Sequence, residues 1–287
     1  MKSLKMKALA VAVFGLAGMG VMGSAFAACP DPAANSNQGY ATPNGPWSGE
    51  FITSATIAAA NTGLGPHGGS CHMLTNYNAG AQGNARVFVE FDDTSDEQRY
   101  RARFYVDLST LNGNFNNSAQ QTVIFSANSN QFPTGVSNSV VRVFLVGGAT
   151  KVFRFLIADS GLLAGSGFKT VNFNAPTQAG VNRIEFDYNT ATGSACTAAN
   201  AHGSFCAWVT DGAAASGADN APTVVTNNPY LLTGATYDPS GAAGWSGMDN
   251  AQLGLTSPSP QLLTSAAVSQ VIGFDEFDSR RQTFIGQ

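Results

Sequence analysis

The chain has 287 residues, with 14 Lys and Arg against 18 Asp and Glu, a formal net charge of −4 and only 11% charged residues. No cation cluster stands out, which argues against a nucleic-acid partner, because phosphate backbones are held by grouped Lys and Arg. After the N-terminal segment no apolar run is long enough to cross a bilayer as a helix.

Lys2, Lys5 and Lys7 precede an apolar run from Ala8 to Met22 and the small-x-small triplet Ala25-Phe26-Ala27. That is the layout of a Sec-type signal peptide over 1–27. The run is short and glycine-broken for a retained span. Phe26 stands where a lipobox usually has Leu, which disfavours lipidation at Cys29. The expected product is an exported protein, secreted or held in the periplasm or at the cell surface, with 28–287 as one domain. Removing three lysines takes the net charge from −4 to −7 and leaves Lys151 and Lys169 as the remaining lysines.

The four cysteines are Cys29, Cys71, Cys196 and Cys206. An even count in an exported chain implies disulfides. Cys196 and Cys206 flank one loop and are expected to pair, which leaves Cys29 for Cys71. No C-x-x-C spacing points to metal.

In chain order, Cys29 to Gly45 reads as an extended lead-in and Pro46 to Ile52 as a first strand. Asn61 to Gly69 and Asn78 to Asn84 read as loops on either side of a strand from Cys71 to Tyr77. Arg86 to Phe91 is a strand, and Asp92 to Glu97 an acidic turn. From Arg99 to Leu108, Tyr100, Ala102, Phe104, Val106 and Leu108 alternate with Arg101, Arg103, Tyr105 and Asp107, the period-two mark of a strand with one core face. Strands follow at Thr122 to Ala127, Val140 to Val146, Lys151 to Ala158 and Phe168 to Phe173, with Gly147-Gly148 as a hairpin turn. Asn182 to Tyr188 alternates strictly: Ile184, Phe186 and Tyr188 on one face, Arg183, Glu185 and Asp187 on the other. A loop leads to Ser204 to Thr210 and the turn Asp211-Gly212. Ala213 to Pro222 and Gly241 to Asn250 read as loops, Tyr230 to Tyr237 as a strand, and Val271 to Arg281 as the closing strand. No helical periodicity and no fixed repeat appear. The fold class is all-β, a sandwich of two antiparallel sheets.

Tyr100 to Asp107, Arg183 to Tyr188 and Phe205 to Gly212 resemble, in residue type and order, the concanavalin A-like, laminin-G-like jelly-roll domains of exported bacterial proteins. Phe274 to Arg281 is similar to the closing strand of a bacterial subset that ends soon after an Arg pair. The resemblance covers Cys71 to Gly286. It implies a jelly roll and often glycan or matrix binding, and it fixes no ligand.

Glu185 and Asp187 share a strand face. Glycosidases on this fold carry Glu-x-Asp-x-Glu on one strand, to flank a sugar bond with carboxylates; here Asn189 stands at the third position. The bland alternative is pairing with arginines of neighbouring strands, for which Arg101, Arg103, Arg142, Arg154 and Arg183 are available. If the polar face is open, it is a glycan groove; if covered, a structural network. Trp208 falls on the polar side by alternation, where its ring suits stacking on a sugar, or it fills the core. Calcium at Asp92 to Glu97 is a weak alternative to a solvated turn. His67, His72 and His202 lack the spacing of a zinc site, and no G-x-S-x-G or phosphate loop exists.

The sequence therefore predicts a non-enzymatic module binding glycan or extracellular matrix, with no cofactor. The expected contacts are Arg103, Tyr105, Arg183, Glu185, Asp187 and Trp208. The alternatives are a polysaccharide-degrading glycosidase or lyase on the same fold, and a purely structural surface protein.

Overall fold

A computed structural model describes residues 39–41, 49–53, 55–60, 72–77, 86–97, 99–111, 115–129, 139–158, 168–189, 193–195, 198–200, 204–212, 248–258 and 270–280. The expected signal peptide, Cys29, Cys71, Cys196, the histidines 67 and 202, and the expected strand at Tyr230 to Tyr237 lie outside them.

The described residues form strands and no helix: β1 (Gly39–Ala41), β2 (Gly49–Thr53), β3 (Ala55–Ala60), β4 (His72–Tyr77), β5 (Arg86–Glu97), β6 (Arg99–Asp107), β7 (Gln121–Asn128), β8 (Ser139–Val146), β9 (Val152–Ala158), β10 (Phe168–Asn174), β11 (Val181–Asn189), β12 (Gly193–Ala195), β13 (Ala198–Asn200), β14 (Ser204–Asp211), β15 (Met248–Pro258) and β16 (Gln270–Arg280). The large sheet has eight strands in the order β1-β2-β5-β15-β7-β8-β9-β10, and the small sheet has six, β14-β11-β6-β16-β4-β3. β12 and β13 form a ribbon of their own. The pairings within both sheets are antiparallel.

One core joins the sheets. Phe104 of β6 stacks on Phe125 of β7 with ring centroids 5.2 Å apart. Phe125 also meets Phe186 of β11 edge-on at 5.3 Å. Phe155 of β9 lies 5.6 Å from Phe205 of β14. Ile184, Tyr188, Val143, Leu145, Leu253 and Phe274 belong to the same buried cluster. Each of these side chains sits on the apolar phase of its strand, so alternation alone drives the sheets face to face. The architecture is a β-sandwich of jelly-roll type.

The Gly147-Gly148 hairpin forms as expected. Gly148 has φ of 140°, and a Cβ on Gly147 would come within 2.7 Å of the Asn117 carbonyl oxygen. Glycine alone fits that pair without strain.

Three readings change. The acidic turn at Asp92 to Glu97 is instead the far end of β5, paired with β15 through Asn250↔Asp92 and Met248↔Glu97 across a bulge. The residues Met248 to Asn250, read as loop, begin β15, a strand at the centre of the large sheet. The loop after β11 contains β12 and β13.

Candidate functional site

The polar face of the small sheet is built by register. β11 lies between β6 and β14, so the alternation of all three strands lines up in rows. One row reads Trp208, Glu185, Arg103, Asp278; the next Cys206, Asp187, Arg101, Arg280; the third Thr210, Arg183, Tyr105, Asp275. A bulge in β16 between Asp275 and Asp278 keeps an acid opposite both Tyr105 and Arg103. Opposite charges on neighbouring strands stabilise such rows.

The carboxylates and guanidiniums form a buried network. Arg99 donates to both oxygens of Asp187, Nε to Oδ1 at 3.1 Å and Nη2 to Oδ2 at 2.9 Å. This is the two-pronged geometry in which a guanidinium holds a carboxylate best. Arg101 bridges both acids, 3.6 Å from Asp187 and 3.9 Å from Glu185. Arg183 Nη2 donates to Glu185 Oε2. Arg101 lies over the Trp208 ring, 5.6 Å from its centroid, and Arg103 lies 5.8 Å from that of Tyr105. Both contacts place a cation against a π-face.

Burial sets the electrostatics. It pushes Arg101 and Arg183 below the usual arginine range, outweighing the attraction of Glu185 for both and of Asp187 for Arg101. Arg183 also feels Tyr105 favourably and Arg103 unfavourably. Arg99 goes the other way: its hydrogen bond to Asp187 raises it against desolvation.

All six sequence-predicted contact residues thus converge on one face, but the expected open groove is corrected. Glu185, Asp187 and Tyr105 are 0% exposed, Arg183 is 1%, Arg103 7% and Trp208 8%. Trp208 belongs to the polar side and is nevertheless buried, against Arg101. Around Arg99, Arg101, Arg183, Glu185 and Asp187 the network reading holds. Burial relaxes toward β16, β4 and the end of β6, where Asp107, Asp275, Asp278, Leu74 and Asn76 are half-buried.

At that margin the structure adds a residue that the sequence reading passed over. His72 of β4 packs over Gly273 of β16: a Cβ there would meet His72 Cδ2 at 3.2 Å, His72 Nε2 at 3.3 Å and Asp107 Cβ at 3.1 Å. The bare Cα lets an imidazole and an aspartate close in from both neighbouring strands. Asp107 caps the turn beyond β6, accepting from Ser109 N and Oγ, both at 2.8 Å. Gly212 does for Tyr105 what Gly273 does for His72, since a Cβ there would sit 3.1 Å from Tyr105 Cδ1. Two polar atoms on this face, Thr210 Oγ1 and Asn76 Oδ1, are buried without a hydrogen-bond partner. Cys206 is disulfide-bonded. Among the described residues no group of three or more His, Cys, Asp or Glu is placed to hold a metal ion.

No protein-family model and no curated protein matches the chain. Solved structures do. The endo-β-1,4-glucuronan lyase of the fungus Trichoderma reesei superposes with a TM-score of 0.51 at 13% identity, over 87% of this chain and 96% of that one. A mutant alginate lyase in complex with an alginate trisaccharide gives 0.47 at 15% identity, over 74% and 82%. The first likeness shows the fold, a β-sandwich. Against the expectation of a non-catalytic module, the fold matched over nearly the whole of both chains is one that an enzyme carries.

Proposed function

We propose that the protein is an exported polysaccharide lyase of the concanavalin A-like jelly-roll type, which breaks a carboxylated glycan by β-elimination on the polar face of the small sheet. The observation that carries this reading is the convergence on one face of Arg103 and Arg183 around Tyr105, with His72 at its margin. The shared fold with a glucuronan lyase supports it.

Elimination from a uronate removes the proton on the carbon beside the carboxylate. It then expels the glycosidic oxygen from the next carbon and leaves a double bond. The barrier lies in the carbanion, so the site must neutralise the carboxylate, take one proton and return one to the leaving oxygen. Arg103 supplies positive charge for the first task, while Arg183, held by Glu185, lies opposite Tyr105. Tyr105 and His72 supply the proton-transferring groups. Glu185 and Asp187 orient the arginines, and Thr210 and Asn76 offer their unpaired oxygens to sugar hydroxyls, since a buried polar atom left unmet costs free energy that a ligand recovers. Substrate enters from the β16–β4 side, where burial is least.

A retaining glycosidase is disfavoured on this face: both acids are engaged by arginines, and Asn189 replaces the third carboxylate. Mass spectrometry of products from polyglucuronate or alginate separates the two chemistries. Fragments lighter by one water than the hydrolysis products support the lyase; fragments of full hydrolytic mass overturn it.

A further inference from the structure

The sandwich has a second polar strip, on the outside of the large sheet, half-buried along β8 and β9 and exposed on β10. On β8, Val141, Val143 and Leu145 point into the core, which turns Arg142 and Phe144 outward; on β9, Phe153, Phe155 and Ile157 do the same for Arg154 and Leu156. Register sets Phe144 directly opposite Arg154, and Arg154 opposite Asn172 of β10. Phe144 and Arg154 are half-buried and Asn172 is exposed.

Arg154 is held without being neutralised. Its Nε donates to Asn172 Oδ1 at 3.2 Å and its Nη1 to Gln121 Oε1 at 3.2 Å. Both partners are neutral amides, so the guanidinium is fixed in place with its full charge available. This contrasts with Arg99 and Arg183, whose hydrogen bonds go to carboxylates. A second guanidinium, Arg142, stands on the next strand, one step along from Phe144, and burial lowers it from the usual arginine range. A cation beside a flat apolar ring, with amides at its edge, matches an acidic sugar: carboxylate on the guanidinium, C–H face on Phe144, hydroxyls on the amides. The chain is otherwise acidic, at −4 overall, so a polyanion is attracted to this strip rather than to the protein at large.

We infer that Arg154 and Phe144, steadied by Gln121 and Asn172, form a binding platform for carboxylate-bearing glycan chains, separate from the face proposed for catalysis. The inference shares with the proposed function only the acidic glycan and does not need the elimination step.

The test is affinity electrophoresis of the full chain in gels containing alginate or, as the neutral control, dextran. Each platform variant is also made in a Tyr105→Phe background, so that the polymer is not consumed. The wild type is expected to be retarded by alginate and not by dextran, and the retardation to fade with salt. Arg154→Gln should weaken it about tenfold or more, the weight of one charge-assisted contact. Asn172→Ala, which frees the guanidinium but keeps its charge, should weaken it less, and Phe144→Ala should weaken it while leaving the melting temperature of this outward position nearly unchanged. Cleavage of a short uronate oligomer should be unaffected by any of the three. Equal retardation of Arg154→Gln and wild type, equal retardation by both polymers, or no retardation by alginate would each overturn the platform whatever the cleavage assay shows. Retardation that needs Arg154, in a protein that cleaves nothing, would leave the platform standing and remove the lyase.

Discussion

Glu185→Gln tests the buried network at its most enclosed point. The substitution keeps the shape of Glu185 and one acceptor oxygen but deletes the charge that faces Arg183 and Arg101. Both arginines already pay a desolvation cost, seen in their lowered positions, so losing their counter-charge leaves positive charge buried. Deleting one partner of a buried pair costs about 3–5 kcal/mol. Glutamine leaves Arg183 an acceptor, and Arg99–Asp187 is untouched, so the lower end applies, about 3 kcal/mol. In a body of this size that lowers Tm by roughly 6–12 °C. The assay is thermal unfolding followed by circular dichroism, on the wild type, on Glu185→Gln and on a double variant with Arg183→Met. The double variant should recover part of the loss, because it removes the stranded cation along with its partner. A Tm within about 2 °C of wild type, the behaviour of an exposed glutamate, would refute the network reasoning.

Phe125→Ala should cost about 3–5 kcal/mol in urea unfolding, since Phe125 bridges rings from both sheets; a loss under about 1 kcal/mol would show that the core closes around the gap. Gly273→Ala pushes a methyl into His72 and Asp107, and is expected to lower turnover with Tm little changed; unaltered turnover would take His72 out of the site. Cys206→Ser should destabilise by about 2–4 kcal/mol, and peptide mapping of the oxidised wild type should yield a linked Cys196–Cys206 pair; a different linkage overturns that pairing.

What the sequence made legible follows from where alternation is clean. β6, β11 and β14 carry strict period two, so their faces could be read before any coordinates. Which arginines meet Glu185 and Asp187 could not, because period does not name neighbouring strands, and Arg142 and Arg154, offered alongside Arg101, Arg103 and Arg183, lie on the large sheet. β15 was hidden because Gly254, at φ of 122°, and Pro258 punctuate it as a loop would. The acidic end of β5 was read as a turn because charge runs usually stay wet; here a partner strand keeps the run extended. Periodicity also names a face without saying what lies above it, so an open groove and a sealed network look alike in sequence. His72 escaped for a related reason: its place depends on the bare Cα of Gly273, some two hundred residues away in the chain, which no local pattern reports.

The central claim is elimination on the face around Tyr105. The direct measurement is ultraviolet absorbance of the unsaturated uronate formed when the mature protein is incubated with polyglucuronate and with alginate, comparing wild type with Tyr105→Phe. The account predicts a steady rise for the wild type on at least one polymer, and a loss of about a hundredfold or more for the variant, the weight of a general acid or base, at unchanged secondary structure. No absorbance with either polymer, or a Tyr105→Phe variant as active as wild type, would contradict it.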